Sequence, residues 1–258
     1  MVKSFNLKNK VVLITGGYGH LGKAIVDSIL YHEAKVYVLG RDKAKFIQSF
    51  NENLENLRFS YCDVSDLDSV KRSFSNIYQG ESRIDVLINN AFYIRGQSPE
   101  DMNDEDFLYG LEGTLGSIFK CTREIISYFK EQGFGKIINV SSMYGVVAPD
   151  FKIYDESPAY LNPPHYGAAK AGVIQLTKYY ASFLGKYNIQ VNAVTPGPFP
   201  SDHVQRDTNF IKKLSENTLV NRIGTPEDLA GVFVFLSSDA ADFITGQNII
   251  VDGGWTVR

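Results

Sequence analysis

Tyr166 and Lys170 stand four residues apart in Pro163-Pro164-His165-Tyr166-Gly167-Ala168-Ala169-Lys170. The proline doublet is a place for a helix to begin, and positions i and i+4 of a helix share one face. An ammonium held beside a phenol favours the phenolate and lowers the phenol's pKa. The pair therefore predicts a tyrosine able to give or take a proton near neutrality, which carbonyl–alcohol interconversion needs. The spacing alone is weak, because the chain has 15 tyrosines and Tyr31 with Lys35 matches it too. That second pair falls where a helix should be ending and a strand beginning. The rest of the chain must decide.

Val11-Val12-Leu13-Ile14 reads as a short apolar strand, followed by Thr15-Gly16-Gly17-Tyr18-Gly19-His20-Leu21-Gly22 and a helical Lys23-Ala24-Ile25-Val26. Strand, glycine-rich turn and helix form the context in which a loop can bind a dinucleotide pyrophosphate. Glycines let the backbone approach phosphates, and a helix N-terminus offers unpaired N–H groups and partial positive charge. Taken alone, the loop is equally a plain surface turn.

The ordered set of motifs resembles the short-chain dehydrogenase/reductase family. Thr15-Gly16 is followed by Asn89-Asn90-Ala91 after a fourth strand, Ser141-Ser142 after a fifth, Tyr166 to Lys170, and Pro196-Gly197 after a sixth. The tail Arg222-Ile223-Gly224-Thr225-Pro226-Glu227-Asp228 and the run Gly246-Gln247 through Val251-Asp252-Gly253-Gly254 are also similar to that family. The likeness covers essentially the whole chain. It implies an NAD(P)-dependent oxidoreductase acting on CH–OH groups. A finer likeness, carried by the segment before Tyr166, is to members associated with bacterial surface-sugar and flagellin-modification pathways.

The elements that must hold these residues alternate. Strands are expected near 11–14, 35–39, 57–61, 84–88, 136–140, 189–194 and 248–251, with helices near 21–31, 65–79, 104–131, 166–185 and 226–237. Strands separated by helices imply right-handed crossovers and a parallel sheet covered on both faces. The expected fold is α/β, a single Rossmann-like doubly wound parallel sheet of about seven strands forming one domain over residues 1–258. Ligands in such a fold bind beyond the carboxyl ends of the strands, and nearly every motif above follows one.

At 44% hydrophobic and 21% charged residues, the composition is that of an ordinary globular protein, and a net charge of −3 argues against a nucleic-acid partner. Met1 to Lys10 lack the apolar stretch of a signal peptide, and no run approaches membrane-spanning length, so the cytoplasm is the expected location. Cys62 and Cys121 are expected as reduced core residues. His20, His32, His165 and His203 form no zinc-like pattern.

After the second strand comes Gly40-Arg41-Asp42. An acidic residue at the strand end would accept from an unmodified ribose 2′-OH. Glycine stands there instead, and the arginine beside it offers a planar charged fork for the 2′-phosphate of NADP. NADP is the expected cofactor, with NAD the other possibility; a solvated Arg41 and an Asp42 that only caps a helix are the bland alternative. By resemblance Gly16, Tyr18, Gly19, His20, Leu21 and Gly22 cradle the cofactor, Asp63 and Val64 meet the adenine, and Asn90 and Ala91 the adenosine ribose. Asn89 steadies the sheet centre. Pro196, Gly197 and Ser201 meet the nicotinamide end.

The resemblance makes Ser142 the catalytic serine, with Ser141 as runner-up. Ser142 would stabilise charge on the substrate oxygen, Tyr166 would be general acid or base, and Lys170 would lower its pKa and hold the nicotinamide ribose. Three departures stand out. His20 replaces a glycine, Thr114 replaces the asparagine that holds a proton-relay water in relatives, and Phe92 puts a ring where relatives have glycine. The stretch Ala148 to Tyr160 is an addition before Tyr166, mixing aromatics, acids and prolines at the site mouth. Such a wall suits a hydroxyl-rich substrate better than a fatty chain.

The sequence thus points to an NADP-dependent enzyme interconverting a ketone and a secondary alcohol on a polar, sugar-derived substrate. A 3-oxoacyl-(acyl carrier protein) reductase-like enzyme and a cofactor-binding protein without catalysis are the alternatives. A homo-oligomer is expected, a tetramer ahead of a dimer, through an apolar last strand and the long helices near 104–131 and 166–185.

Overall fold

The computed structural model describes residues 4–50 and 55–257. Seven strands form one sheet: β1 (Val11–Thr15), β2 (Lys35–Gly40), β3 (Leu57–Tyr61), β4 (Val86–Asn89), β5 (Gly135–Val140), β6 (Ile189–Pro196) and β7 (Asn248–Val251). Their order is β3-β2-β1-β4-β5-β6-β7, and every neighbouring pair is parallel. Parallel neighbours cannot be joined by hairpins, which is why helices lie between most strands in sequence.

Side chains alternate across the sheet. Val12, Ile14, Val36 and Val38 pack on one face with Ile25, Val26, Ile29, Leu229 and Phe233. Val11, Leu13 and Leu87 pack on the other with Phe74, Ile125, Phe129 and Leu184. Both faces are dry, so β1, β4 and β5 are buried along their whole lengths.

The helices are α1 (His20–Tyr31), α2 (Lys43–Ser49), α3 (Leu67–Glu81), α4 (Asp104–Leu111), α5 (Ser117–Gln132), α6 (Pro164–Leu184), α7 (Thr208–Glu216) and α8 (Pro226–Ser237). The helix expected over 104–131 is broken by one π-helical turn, Glu112–Gly116, between α4 and α5. Helices α2 and α7 were outside the expected set; at 7 and 9 residues they are too short to show a firm period. Asp42 caps α2 by accepting from the Lys45 amide.

A third cluster lies outside the sheet. Met143, Ile153, Tyr154, Phe210, Leu214 and Trp255 are buried together, so the added stretch packs on α7. Ser157 Oγ donates to Asp207 Oδ2 at 2.7 Å, and Tyr160 and Phe210 rings meet at 4.9 Å. The last strand stands at the sheet edge with Ile250 40% exposed. Trp255 is buried in that third cluster.

The strand order runs outward in both directions from β1 and β4. Loops leaving these two strands therefore diverge and open a crevice at their carboxyl ends.

Candidate active site

At that crevice lies a cleft of about 480 Å³. Its first wall is the turn between β1 and α1. Gly16 has φ +64, and a Cβ there would sit 3.2 Å from Ala91 Cα. A Cβ on Gly22 would come within 2.4 Å of the Gly16 carbonyl oxygen. Glycine at both places lets the loop fold tightly onto the helix and onto β4's end. Thr15 completes the joint: its Oγ1 accepts from the Asn90 and Ala91 amides at 3.0 Å each. Asn90 Nδ2 donates to the Thr15 and Gly16 carbonyls, both at 3.1 Å.

Gly16, Tyr18, Gly19, His20, Leu21 and Gly22 all line the cleft. His20 is the first residue of α1 and has no left-handed backbone, so histidine is accommodated in ordinary helical geometry. Its Nε2 is buried with no partner among the described residues. A glycine-walled cradle at a helix start, with an unsatisfied imidazole nitrogen in it, fits the diphosphate of a dinucleotide.

Arg41, Asp63 and Val64 line the same cleft beyond β2 and β3. Arg41 is largely exposed and stands 3.8 Å from Asp63 Oδ2. Burial opposes charge on Asp63, but hydrogen bonds from the Ser65 hydroxyl and amide, helped by Arg41, hold its carboxyl below the usual range. Cys62, buried beside it, lines the cleft too, and both cysteines are free.

At the other end Asn90, Ala91, Ser142, Tyr166, Lys170, Pro196, Gly197 and Ser201 meet. Tyr166 sits in the first turn of α6, which starts at Pro164 as the proline doublet requires. Ser142 follows β5, hydrogen-bonds the Tyr166 phenol and accepts from the Tyr144 amide at 3.2 Å. The runner-up is otherwise engaged: Ser141 Oγ donates to the Lys170 carbonyl at 2.8 Å. Lys170 Nζ donates to the Val140 carbonyl at 2.7 Å and lies 5.5 Å from the Tyr166 ring centroid.

The expected electrostatics need correction. Burial pushes the Tyr166 phenol up from its ordinary value, with the Ser142 hydrogen bond opposing. Burial alone brings Lys170 down to about 7. The net direction for the phenol is thus upward, opposite to the lowering expected from the lysine. Lys170 is buried and Tyr166 half-buried at the cleft wall, and desolvation penalises each charged form.

Phe92 covers the pair. Its ring centroid is 5.1 Å from Lys170 Nζ and 5.7 Å from the Tyr166 ring. Thr114 does not line the cleft; it is fully buried in the π-helical turn, its hydroxyl without a partner among the described residues. Such a hydroxyl is a group that an ordered water would satisfy.

The sequence missed several participants. Tyr93 lines the cleft with no motif of its own, and Thr15, Gly40 and Phe199 sit inside motifs that give them no separate role. A buried chain of side chains also crosses the sheet: Asn89 Nδ2 donates to Asn139 Oδ1 at 2.9 Å, and Asn139 Nδ2 donates to Thr177 Oγ1 at 2.9 Å. Asn89 thus does steady the sheet centre, between β4 and β5.

Residues 19–256 match the family model described as Enoyl-(Acyl carrier protein) reductase. The chain is 33% identical to the 3-oxoacyl-[acyl-carrier-protein] reductase of Thermotoga maritima over 97% of its own length and 99% of the relative's. It is 28% identical to the post-translational flagellin modification protein A of Campylobacter coli, covering 96% and 99% of the two chains. A short-chain dehydrogenase of Leptospira borgpetersenii solved with bound NAD+ superposes with TM-score 0.88 at 32% identity, covering 99% and 97% of the two chains. A gluconate 5-dehydrogenase of Burkholderia cenocepacia solved with NADP and tartrate gives TM-score 0.88 at 26% identity, covering 100% and 99%. The chain belongs to the short-chain dehydrogenase/reductase family. It is an oxidoreductase of an NAD(P)-dependent family that acts on CH–OH groups. Among the described residues no helix is long and apolar enough to cross a membrane.

Proposed function

We propose that the chain is an NADP-dependent oxidoreductase interconverting a ketone and a secondary alcohol on a polar, sugar-derived substrate. The observation that carries the redox reading is the convergence of Ser142, Tyr166 and Lys170 at one end of the cleft. Gly16, Gly19, His20 and Gly22 would hold the diphosphate, and Arg41 the 2′-phosphate. The nicotinamide supplies or takes the hydride when bound.

Around it the chain's own residues handle the proton. In the reducing direction Tyr166 gives its phenolic proton to the substrate oxygen. Ser142 donates a hydrogen bond to that oxygen as negative charge develops there. Lys170, fixed by the Val140 carbonyl and with a pKa near 7, can replace the lost proton. The Phe92 ring lies against both Tyr166 and Lys170. The buried Thr114 hydroxyl, without a partner among the described residues, would hold a relay water.

The sugar-like substrate is supported by the wall after Ser142. The Tyr144 and Tyr154 hydroxyls are 2.7 Å apart in the segment that follows Ser142, so that wall carries polar groups. The likeness to a gluconate 5-dehydrogenase agrees. A second reading, reduction of a 3-oxoacyl thioester on a carrier protein, is favoured by the Thermotoga maritima relative. Turnover assays on keto-sugars, aldonates and a 3-oxoacyl thioester decide between them. Activity confined to the thioester sinks the sugar reading, and cofactor binding with no turnover on any of these favours a protein that only binds.

Assembly follows the same logic. Leu108, Phe119, Tyr179 and Phe183 leave an exposed apolar face on α4, α5 and α6. We read it as one contact of a tetramer, with the β7 edge as the other, in a cytoplasmic enzyme.

A further inference from the structure

The end of β2 lacks a side chain, and its place is already filled. A Cβ on Gly40 would stand 2.5 Å from both Oη and Cε1 of Tyr18 and 2.7 Å from Cζ. The tyrosine comes from the glycine-rich turn, lies across the strand end and lines the cofactor cleft. Its hydroxyl accepts from the Arg41 amide at 3.1 Å and the Asp42 amide at 3.3 Å.

The neighbouring carboxylates are committed elsewhere. Asp42 accepts from the Lys45 amide as the cap of α2. Asp63 accepts from the amide and hydroxyl of Ser65 and faces Arg41. Among the described residues neither acid stands at position 40 itself, the strand end, to accept from an unmodified ribose 2′-OH. Tyr18 Oη does stand there. Among the described residues its own hydrogen has no acceptor, and its open side is the cleft.

We propose that Tyr18 is the residue that reads the 2′ position of the adenosine ribose. Its ring excludes a carboxylate at position 40, and its hydroxyl donates to a 2′-phosphate that Arg41 neutralises. The proposal rests on the NADP reading above and goes beyond it, because it moves discrimination from the strand to the turn. A hydroxyl fixed by two backbone amides is pre-oriented, so little side-chain freedom is lost when a phosphate arrives. A ribose without the phosphate leaves the Arg41 charge unused and lacks a carboxylate partner.

The test is fluorescence titration of the nucleotide-free protein with NADPH and NADH, on the wild type, Tyr18→Phe, Gly40→Asp and the double variant Gly40→Asp/Tyr18→Ser. The wild-type titration by itself reads the cofactor preference; tighter NADH removes that reading and this proposal with it. Given tighter NADPH, Tyr18→Phe is expected to lose roughly tenfold in NADPH affinity, as for a hydrogen bond to a charged group, with NADH changed less than about twofold. Gly40→Asp alone is expected to bind neither dinucleotide better than the wild type, because the acid meets the ring. Removing the ring in the double variant should then raise NADH affinity at least about tenfold over Gly40→Asp. An unchanged NADPH-to-NADH ratio in Tyr18→Phe, or reversal of the ratio by Gly40→Asp alone, overturns the role of Tyr18 and leaves the NADP reading standing. If Tyr18→Phe melts well below the wild type, the Gly40 pair of variants carries the decision.

Discussion

Ser141 Oγ donates a 2.8 Å hydrogen bond to the carbonyl of Lys170, so the strand that ends in the serine pair is fastened to the helix that carries the lysine. Lys170 Nζ returns a bond to the Val140 carbonyl at 2.7 Å. The two bonds run in opposite senses across one interface. They fix both the backbone and the ammonium of Lys170 relative to Ser142, which follows directly in sequence.

Ser141→Ala should therefore lower unfolding free energy by about 1 kcal/mol, the net worth of a buried hydrogen bond, with more if the carbonyl stays unsatisfied. Denaturant titration measures it. Turnover should fall together with stability, whereas the same substitution in a plain turn would leave both unchanged.

Tyr166→Phe should cut turnover by about 10³-fold, the scale of a lost general acid, while cofactor affinity stays nearly intact. Lys170→Ala should damage both. Steady-state kinetics with a separate binding titration resolve the two effects. More than a few per cent residual activity in Tyr166→Phe would mean that another group moves the proton.

Stability should rise with pH through Lys170. The folded protein releases its proton near pH 7, whereas the unfolded chain holds it to about 10.4. Between those values the unfolded state binds more protons, so unfolding free energy increases with pH. That contribution is complete above the unfolded value and is lost as pH falls to the folded one. Lys170→Met should flatten the rise; urea melts from pH 7 to 9.5 on both proteins would expose a variant that keeps the slope.

Arg41→Ala should weaken NADPH by about tenfold or more and leave NADH nearly unchanged, since only the 2′-phosphate offers a partner for the guanidinium fork. Isothermal titration with both nucleotides checks it. Equal losses for the two would assign Arg41 a structural part.

Light scattering at micromolar concentration should give a mass well above the 28.8 kDa of one chain, with the tetramer expected. Phe119→Asp with Tyr179→Asp should reduce it by charging the exposed face on α5 and α6. A fully active wild-type monomer would remove the assembly.

Much of this was legible before any coordinates. The strand ends could be read because apolar β runs stop at Thr15, Asn89, Val140 and Pro196, and the cleft residues follow them. Tyr166 and Lys170 could be placed because a helix repeats predictably once Pro164 starts it. What escaped notice depended on partners far apart in sequence. Nothing near Gly40 says that a ring from the first turn fills its missing side chain. Lys170 looked like a charge beside a phenol; its burial, which decides its pKa, comes from Phe92 and the packed sheet. Thr114 stood in a helical run, and the π turn that sinks it into the interior has no local signature.

The added stretch before Tyr166, which we propose walls the substrate side, is already assembled. Ser157 is bonded to Asp207, Glu156 lies 3.5 Å from Lys213, and Tyr160 packs on Phe210, so the stretch and α7 form one body. A loose loop must give up conformational freedom each time a ligand arrives, at about 1–2 kcal/mol for every backbone residue fixed. Here that ordering happens once, when the chain folds. Substrate association should accordingly show a small entropic loss, and any opening of the mouth should involve both segments swinging together, on the microsecond-to-millisecond scale of packed bodies rather than the faster scale of free loops.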